Sequence, residues 1–396
     1  MSYVTQLRPH EFKVWKGKGP LLGSMDIELT ERCNNNCVHC CINRPEDDAD
    51  ALNREIGTDF IKGILTEAAA LGCMTVRFTG GEPLLRHDFA ELYLFARRLG
   101  MRVVLFTNAR LITPELVQLF ASIPTGQVVE ISVYGMSPKS YDRVVCKDGA
   151  FAEFWRGVQL LLEYNIPFVV KAPKLPFLQE EQREFEAWAA TIPAMNKPPG
   201  YSMNFELRAR RDDFAKNARI AKLRATPEES VASLASNALY MKDMGQFFQK
   251  FMHGPVGDKL FNCGAGHGTC IDAYGQAQLC LSLRRAECVV DLRETSIKRV
   301  LTELFPPMRE ISATNPDYLC RCARCFLIGL CEQCPAKSWS EYGTLDTPVE
   351  YLCEVAHAQA RFLGLVGERE NGWEVEDWRE RVEAFVTAHG LTVSSD

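Results

Sequence analysis

The chain has 396 residues, a formal net charge of −6 and a hydrophobic fraction of 46%. A chain of this size buries a large core and is expected to hold more than one domain. The acidic balance disfavours a nucleic-acid partner, which needs a basic surface. Residues 1–20 show no apolar run typical of a secretory signal, and no later run is long enough to span a membrane. We therefore expect a cytoplasmic protein whose 16 cysteines are metal ligands rather than disulfides.

Strands and helices are predicted to alternate from residue 25 to about residue 175. The predicted strands are 25–29, 75–78, 103–108, 128–133 and 168–171, and the predicted helices are 58–71, 88–99, 114–121 and 151–164. Repeated strand–helix units are typical of a parallel sheet covered by helices. A sixth strand is expected at 202–207, followed by a helical stretch at 212–252. Parallel barrels bind ligands at the carboxyl ends of their strands, so residues that follow these strands are candidate site residues.

Three closely spaced cysteines, Cys33, Cys37 and Cys40, follow the first predicted strand. The spacing C-x3-C-x2-C supplies three thiolates where a four-iron cluster has four irons, which leaves one iron open to bind another molecule. A zinc site is the alternative, with His39 as the only local fourth ligand. Paired C-x2-C knuckles are the commoner zinc pattern, so the spacing favours a cluster.

The second predicted strand ends in Gly80-Gly81-Glu82-Pro83. Glycines let a backbone approach a ligand closely, and a carboxylate suits an ammonium group. Together with the three cysteines, this motif resembles the radical S-adenosylmethionine superfamily. The resemblance implies an α/β fold, a partial (β/α)6 TIM-like barrel, with a [4Fe–4S] cluster whose open iron binds S-adenosylmethionine. Reductive cleavage would then release a 5′-deoxyadenosyl radical that abstracts hydrogen from the substrate, while Gly80, Gly81 and Glu82 contact the methionine end.

Further strand ends resemble positions of the same superfamily. Thr107-Asn108-Ala109 resembles a Thr-Asn-Gly turn with Ala109 in place of glycine. Ser132 matches a serine that contacts the ribose. Lys171 ends the next strand at the same rim, where a structural role is an equal alternative. No Gly-rich adenine motif is evident near the sixth predicted strand.

A second group of cysteines follows residue 250 and resembles the SPASM extension of this superfamily. The resemblance implies two auxiliary [4Fe–4S] clusters, which makes three clusters in all. The implied ligands are, for the first auxiliary cluster, Cys263, Cys270, Cys280 and Cys334, and, for the second, Cys322, Cys325, Cys331 and Cys353. Full ligation by cysteine suits electron transfer rather than substrate binding at iron.

Two features depart from the SPASM pattern. The spacing between Cys331 and Cys334 is x2 where x3 is usual, and Cys320 could replace a ligand of the second auxiliary cluster. A zinc ribbon built from C-x2-C pairs at 322–325 and 331–334 is the alternative, although such close knuckles do not suit a ribbon. The cysteines outside the three sets are interpreted as small buried hydrophobic residues: Cys41, Cys73, Cys146, Cys288 and Cys320.

The predicted organisation has five parts. These are an N-terminal extension at 1–24, the barrel at 25–235, a helical connector at 236–254, the auxiliary-cluster domain at 255–356 and a helical tail at 357–396 that serves as a structural cap.

The resemblance implies hydrogen abstraction from a peptide or protein, with thioether or carbon–carbon cross-linking of a ribosomal precursor peptide as the leading hypothesis. A sulfatase-maturating enzyme that forms formylglycine is a second hypothesis, but the position of its catalytic aspartate holds Leu281, and nearby Asp272 is expected in a surface loop. Cofactor biosynthesis on a small molecule and electron transfer without radical chemistry are two further hypotheses.

The expected partners are the peptide or protein substrate, a separate peptide-recognition protein, and an electron donor such as flavodoxin or ferredoxin. The sequence assigns no general base, attacked residue or oligomeric state.

Overall fold

The computed structural model describes residues 21–236 and 240–389. Its strands are β1 (Ser24–Thr30), β2 (Arg32–Cys33), β3 (Arg44–Pro45), β4 (Thr75–Gly80), β5 (Arg102–Thr107), β6 (Val129–Ser132), β7 (Phe168–Pro173), β8 (Gly200–Ser202), β9 (Thr269–Ile271), β10 (Gln276–Gln278) and β11 (Val289–Asp291). One sheet has nine strands in the order β11-β10-β9-β1-β4-β5-β6-β7-β8, and β2 pairs with β3. Strands β1 and β4 to β8 are parallel neighbours. The predicted α/β fold with a partial (β/α)6 barrel is therefore confirmed.

Helices connect and cover these strands. They are α1 (Ala49–Arg54), α2 (Thr58–Ala70), α3 (Phe89–Arg98), α4 (Pro114–Ser122), α5 (Pro138–Val145), α6 (Ala150–Glu163), α7 (Gln182–Ala189), α8 (Phe214–Ala221), α9 (Pro227–Ala235), α10 (Tyr240–Phe251), α11 (Ile297–Arg299), α12 (Phe305–Arg309), α13 (Pro316–Cys320), α14 (Pro335–Tyr342), α15 (Glu350–Phe362) and α16 (Trp378–Ala388). Short 3-10 helices and a π turn at Val300–Leu304 fill several connections. Among the helices within 21–236 and 240–389, none is long and apolar enough to cross a membrane.

The barrel strands bury alternate side chains, as a sheet with one helix-covered face requires. Residues such as Ile27, Phe78 and Leu105 are fully buried in the main core. The intervening residues form what we call the inner row, which consists of Asp26, Arg77, Phe106, Glu130 and Lys171. Arg77 pairs with Asp26 at 2.9 Å and Lys171 with Glu130 at 3.3 Å, while both cations lie over the Phe106 ring. The barrel interior is therefore lined by charge-compensated pairs.

The cysteine-rich C-terminal region shares the barrel sheet. Strand β9 runs parallel to β1, with Cys270 opposite Asp26, and β10 and β11 continue the sheet in antiparallel fashion. The Cys270 thiol and the Asp26 carboxylate lie 3.7 Å apart. Strand β1 thus supports both the N-terminal cysteine loop and the first strand of the C-terminal region.

The segments at 202–207 and 212–252 differ in how well they match the secondary structure expected from the sequence. The strand expected at 202–207 is wrong beyond Ser202, because Phe205 and Leu207 pack with Val144 and Leu175 in a separate apolar cluster instead of continuing β8. The helical stretch expected at 212–252 is confirmed as α8, α9 and α10, apart from residues 237–239. Those three residues, residues 1–20 of the predicted N-terminal extension and residues 390–396 of the predicted tail lie outside the described part of the chain.

The end of β4 packs directly on the backbone that joins β1 to the cysteine loop. The Gly81 and Glu82 amides donate to the Thr30 and Arg32 carbonyls at 2.7 and 2.9 Å. A Cβ atom on Gly80, which has φ +124°, would lie 2.1 Å from the Thr30 carbonyl oxygen, and one on Gly81 would lie 2.2 Å from that of Arg32. The two glycines are thus required by close backbone packing, a reason that adds to the ligand contact predicted from the sequence.

We expect Gly81→Ala to lower the free energy of unfolding by about 1–3 kcal/mol, because the new methyl group has no space beside the Arg32 carbonyl. Gly63→Ala is the matched control. Gly63 lies in α2, where a Cβ atom would meet nothing within 4 Å, and alanine favours a helix over glycine by about 0.5–1 kcal/mol. Urea unfolding followed by circular dichroism measures both, and a Gly81→Ala protein as stable as wild type would contradict the packing argument.

Candidate functional site

The three N-terminal cysteines lie together at the carboxyl end of β1. Cys33 and Cys37 are buried and Cys40 is half-buried. Burial raises the pKa of the Cys37 thiol, and repulsion from Cys40 and Cys33 raises it further, which shows that the three sulfurs are electrostatic neighbours. The Cys37 thiol also has the Tyr134 side chain as a hydrogen-bond partner. The structure thus brings together the three cysteines that the sequence singled out.

A turn after β5 holds one side of this loop. Asn108 Nδ2 donates to Asn34 Oδ1 at 2.8 Å and lies 3.9 Å from the Cys33 sulfur. Arg110 donates to the Asn34 carbonyl at 2.6 Å. Ala109 has φ +63°, a conformation that favours glycine, so it takes the strained position of the Thr-Asn-Gly turn that the sequence resembled. The sequence analysis missed Arg110, although its position two residues beyond a strand-end asparagine was a usable signal.

Residues from the α8 region hold the other side. Lys216 donates to Asn43 Oδ1 at 2.5 Å, and Arg208 donates to the Asn43 carbonyl at 3.2 Å. The ammonium of Lys216 interacts favourably with the Cys40 and Cys37 sulfurs. No motif marked these residues in the sequence, because Lys216 lies in the polar helix α8 and Arg208 in the loop before it, both more than 160 positions further along the chain than Asn43.

Some buried polar atoms around this loop have no hydrogen-bond partner in the part of the chain that the structure describes, so they are available to a bound group. The buried atoms Asn35 Nδ2 and His39 Nδ1 have no hydrogen-bond partner among the described residues. Within 21–236 and 240–389, no three His, Cys, Asp or Glu side chains converge closely enough to hold a single metal ion. A four-iron cluster makes a different demand, because each cysteine binds its own iron. The three thiols and the unpartnered polar atoms around them fit such a cluster.

Glu82 is fully buried beside this loop. Its Oε1 accepts from the Thr107 hydroxyl at 2.8 Å and from the Leu84 amide at 3.2 Å, and its Oε2 accepts from the Asn108 amide at 2.8 Å. Burial raises the pKa of Glu82 to about 7, against the opposing effect of these donors. A carboxylate has about four acceptor positions, so one position on Oε2 remains for a further donor such as an ammonium group.

The other predicted contacts of the barrel rim have different surroundings. Ser132 ends β6, is half-buried and pairs in register with Lys171. Lys171 is engaged with Glu130 and Phe106 in the inner row, which favours the structural alternative for this lysine. Tyr134, two residues after Ser132, is the residue of this strand end that touches the cysteine loop.

The first implied auxiliary set is also brought together. Burial raises the pKa of the Cys280 thiol to about 12, and the neighbouring sulfurs of Cys334 and Cys263 add to the increase. Burial raises the pKa of the Cys270 thiol, and repulsion from Asp26 and, more weakly, from Cys280 raises it further. These four cysteines therefore form one group, although they span more than 70 positions of the chain.

The second implied auxiliary set lines a single cavity. The four cysteines Cys322, Cys325, Cys331 and Cys353 all border one small space that also contacts Arg321, His357 and Trp373. Cys320 is exposed and does not border this cavity; its thiol donates to the Asp317 carbonyl at 3.5 Å. The lining of this cavity therefore contains all four cysteines of the second implied set and does not contain Cys320.

The remaining cysteines follow their predicted burial only in part. Cys73 and Cys288 are buried, as expected, whereas Cys146 and Cys320 are exposed, so that interpretation is wrong for them. Cys41 is half-buried and borders a cavity described below. The expectation for Asp272 is also wrong, because its side chain is 0% exposed and belongs to a buried charge network.

This buried charge network joins β1 to the β9–β10 hairpin. Arg284 donates to both Glu28 oxygens at 2.6 Å and lies 3.2 Å from Glu31 and 3.5 Å from Asp272. Arg210 contacts Glu31 at 2.6 Å and Asp272 at 3.0 Å. The network contains three carboxylates and two guanidinium groups, so it has one excess negative charge when all are ionised. Burial raises the pKa of Glu28, which favours its neutral form and reduces this excess.

A cavity of about 600 Å³, which we call the loop cavity, lies between the N-terminal cysteine loop and the C-terminal region. Cys40 and Cys41 border it from the loop, and Lys337 and Gln359 border it from the C-terminal region. Lys337 pairs there with Glu206 at 2.7 Å. This space combines access to the N-terminal cysteine loop with a polar wall, so it can receive a substrate.

The fold is a partial barrel with a three-cysteine loop at the carboxyl end of its first strand. Residues 27–188 match the family model of the Radical SAM superfamily, so the chain contains a domain of that superfamily. The AdoMet-dependent heme synthase of Methanosarcina barkeri is 34% identical over 143 residues, which cover 36% of this chain and 40% of that protein. The PqqA peptide cyclase of Bradyrhizobium diazoefficiens is 32% identical over 146 residues, 37% of each protein. The matched part thus spans about two fifths of these relatives.

Solved structures resemble a larger part of the chain. AnSMEcpe with bound AdoMet aligns with a TM-score of 0.59 and 13% identity, covering 93% of this chain and 98% of that one. Streptococcus suis SuiB bound to the precursor peptide SuiA aligns with a TM-score of 0.54 and 15% identity, covering 84% of this chain and 76% of that one. At these identities the likeness establishes a shared fold, and it includes the cysteine-rich C-terminal region.

The raised pKa of Glu82 predicts a pH dependence of stability. A carboxyl group with a pKa of about 7 when folded, against 4.5 ordinarily, binds its proton more tightly in the folded state. The folded state therefore loses stability as pH rises from about 5 through 7, by up to about 1.4 kcal/mol per unit of pKa difference.

We expect the unfolding free energy of wild type minus that of Glu82→Gln to fall as pH rises through this range. Urea titrations of the ligand-free protein at several pH values measure this difference. A difference between wild type and Glu82→Gln that stays constant with pH would show that Glu82 does not titrate there.

Proposed function

We propose that this chain is a radical S-adenosylmethionine enzyme that modifies a peptide or protein and holds three [4Fe–4S] clusters. The observation that carries the proposal is the grouping of cysteines from distant parts of the sequence into three separate sites. The proposed ligand sets are Cys33, Cys37 and Cys40; Cys263, Cys270, Cys280 and Cys334; and Cys322, Cys325, Cys331 and Cys353. The first set has three thiols and the other two have four, which is the division between an open cluster and two fully ligated ones.

The N-terminal site would supply the radical chemistry. When bound there, the cluster and S-adenosylmethionine provide a 5′-deoxyadenosyl radical that abstracts hydrogen from the substrate. Glu82 offers its remaining acceptor position to the ammonium group of the methionine part, and Ser132 offers a hydroxyl to the ribose. The glycines at 80 and 81 fix the loop by packing against Thr30 and Arg32, and they thereby place Glu82 beside it.

The loop cavity is the proposed substrate site. It reaches Cys40 on one side and residues of the C-terminal region on the other, so a bound segment would lie between the N-terminal site and an auxiliary site. The fold is shared with SuiB, which was solved with the precursor peptide SuiA, over 84% of this chain. Sequence similarity to PqqA peptide cyclase also supports a peptide substrate. A thioether or carbon–carbon cross-link is the proposed product, since auxiliary clusters can accept the electron released by net oxidation.

Chemistry on a porphyrin is the second candidate, favoured by the 34% identity to AdoMet-dependent heme synthase. That similarity covers 36% of this chain, whereas the structural likeness to a peptide-bound enzyme extends over the C-terminal region as well. Incubation of reduced, cluster-loaded enzyme with S-adenosylmethionine and iron coproporphyrin separates the two. Conversion of the porphyrin would favour the second candidate over peptide modification.

The proposed organisation keeps the barrel at 25–235, the connector at 236–254, the auxiliary-cluster domain at 255–356 and the tail at 357–396, in a cytoplasmic protein. A reduced flavodoxin or ferredoxin would supply the electron, and a separate peptide-recognition protein is a proposed partner. Full activity on a leader-bearing peptide without any added protein would remove the recognition protein from the proposal.

Iron content tests the cluster assignments. We expect about twelve irons per anaerobically reconstituted chain, falling to about eight in the Cys33→Ala/Cys37→Ala/Cys40→Ala variant, with loss of S-adenosylmethionine cleavage. Cys331→Ala should lose about four irons, while Cys320→Ala, its matched control outside the cavity, should lose none. Iron and sulfide analysis with Mössbauer spectra measures these contents, and zinc in place of iron would overturn the proposal.

A bulky side chain in the loop cavity tests the substrate site. Gln359→Trp should lower peptide-dependent formation of 5′-deoxyadenosine at least about tenfold, because the indole occupies space that the peptide needs, which corresponds to about 1.4 kcal/mol or more in the barrier. Cleavage of S-adenosylmethionine without peptide should remain. Ser236→Trp, at an exposed position outside the cavity, is the control, and equal peptide-dependent rates in both variants would place the substrate elsewhere.

A further inference from the structure

We propose that Arg321 is a positioning residue that raises the reduction potential of the second auxiliary cluster through contact with its cysteine ligands. The inference rests on the proposed function, since it requires a cluster held by Cys322, Cys325, Cys331 and Cys353. The cavity they line supports the fit, and it borders the guanidinium group directly.

The contacts of Arg321 point toward this site. Its Nη2 lies 3.7 Å from the Cys353 sulfur, within reach of an N–H···S hydrogen bond. Its Nε is buried and has no hydrogen-bond partner among the described residues, so a donor remains for a bound group. Arg321 also follows directly on α13 and immediately precedes Cys322, which ties the guanidinium to the ligand loop by the shortest possible connection.

Two neighbours fix the guanidinium in this place. Glu350 accepts from Nη1 and Nη2 at 2.7 and 2.8 Å in a two-pronged ion pair. The Trp373 ring lies under the guanidinium, with its centroid 5.0 Å from the Arg321 Cζ atom. A planar group held by a fork of hydrogen bonds and an aromatic face keeps one orientation.

The tail closes the other side of the cavity with uncharged groups. A Cβ atom on Gly372 would lie 2.7 Å from the Cys325 sulfur, so the backbone there touches a proposed ligand. His357 Nε2 accepts from the Gly372 amide at 2.9 Å, which places its proton on Nδ1, where it donates to the Cys353 carbonyl at 2.8 Å. This tautomer is uncharged, and its Nδ1 also lies 3.5 Å from the Cys353 sulfur. Of the cavity-lining residues that the structure describes, Arg321 alone carries a permanent charge.

A positive charge and N–H···S hydrogen bonds favour the reduced, more negative form of a cluster, and exclusion of solvent strengthens both effects. The first auxiliary set differs, because the neighbour of Cys270 is the Asp26 carboxylate at 3.7 Å. The first auxiliary set thus has a carboxylate beside Cys270 and the Lys337 ammonium near Cys334, whereas the charge closest to Cys353 of the second set is the Arg321 guanidinium. The second is the site that Arg321 biases toward accepting an electron.

Redox titration of cluster-loaded enzyme, followed by electron paramagnetic resonance, tests the proposal. The reduction wave of the second auxiliary cluster is the one absent from Cys331→Ala. We expect Arg321→Gln to shift this wave to a more negative potential by about 59 mV. For one electron, this shift corresponds to a tenfold change in the reduction equilibrium. Arg324→Gln, which removes a charge three residues away at a position outside the cavity, should leave it unchanged.

Glu350→Gln provides an arm of opposite sign, because it removes the negative partner of Arg321 and should move the same wave to a more positive potential. If Arg321→Gln fails to retain iron, Glu350→Gln carries the test alone. Equal iron content with an unmoved wave in either variant would overturn the role of Arg321. Wild-type enzyme with only about eight irons, and no loss in Cys331→Ala, would instead mean that the proposed function is wrong about this cluster.

Discussion

The rest of the structure depends on the ion pairs that Arg284 and Arg210 make with Glu28, Glu31 and Asp272. All three carboxylates are at most 2% exposed, so each would carry a large desolvation cost without a partner. Removing one partner from such a buried set costs about 3–5 kcal/mol, because the remaining charges stay uncompensated. The network therefore favours the observed pairing of β1 with the β9–β10 hairpin, because separating these partners would leave buried charges uncompensated.

The same network relates two of the cysteine groups in space. Glu31 lies two residues before Cys33, and Asp272 lies two residues after Cys270. Because Arg284 and Arg210 each contact both of these carboxylates, the N-terminal cysteine loop and the first auxiliary set are attached to the same ion-pair network.

The barrel was predictable because its signals are local. Alternating apolar residues in strands such as β4 and β5, and helical spacing in α2, fix element type within a few positions. The three N-terminal cysteines were equally predictable, since they lie within eight positions of the chain. The same local logic failed at Leu207, where a run that suits a strand packs into a separate apolar cluster with Leu175 instead. Tertiary contacts that the pattern does not encode decided that segment.

The supports of the site were not predictable for a related reason. Arg110, Lys216 and Arg284 are single charged residues in helices and loops, where the usual interpretation is solvent exposure. Each is instead 8% exposed or less and contacts a segment at least 75 positions away. The sequence singled out the glycines at 80 and 81 for contact with a ligand, and it did not reveal that they also pack against the backbone of Thr30 and Arg32.

Cysteine spacing identifies candidate ligands but carries little information on how the three sites differ. Spacing could not tell whether Cys320 takes part in the second auxiliary set, whereas its exposed position and the lining of the cavity separate it from the other four. The surroundings differ in charge as well. Lys216 approaches the N-terminal loop, the Asp26 carboxylate approaches Cys270, and the Arg321 guanidinium approaches Cys353. Because charge and hydrogen bonding near the sulfurs set the potential of a cluster, clusters bound at the three proposed sites would differ in potential through these non-ligand residues.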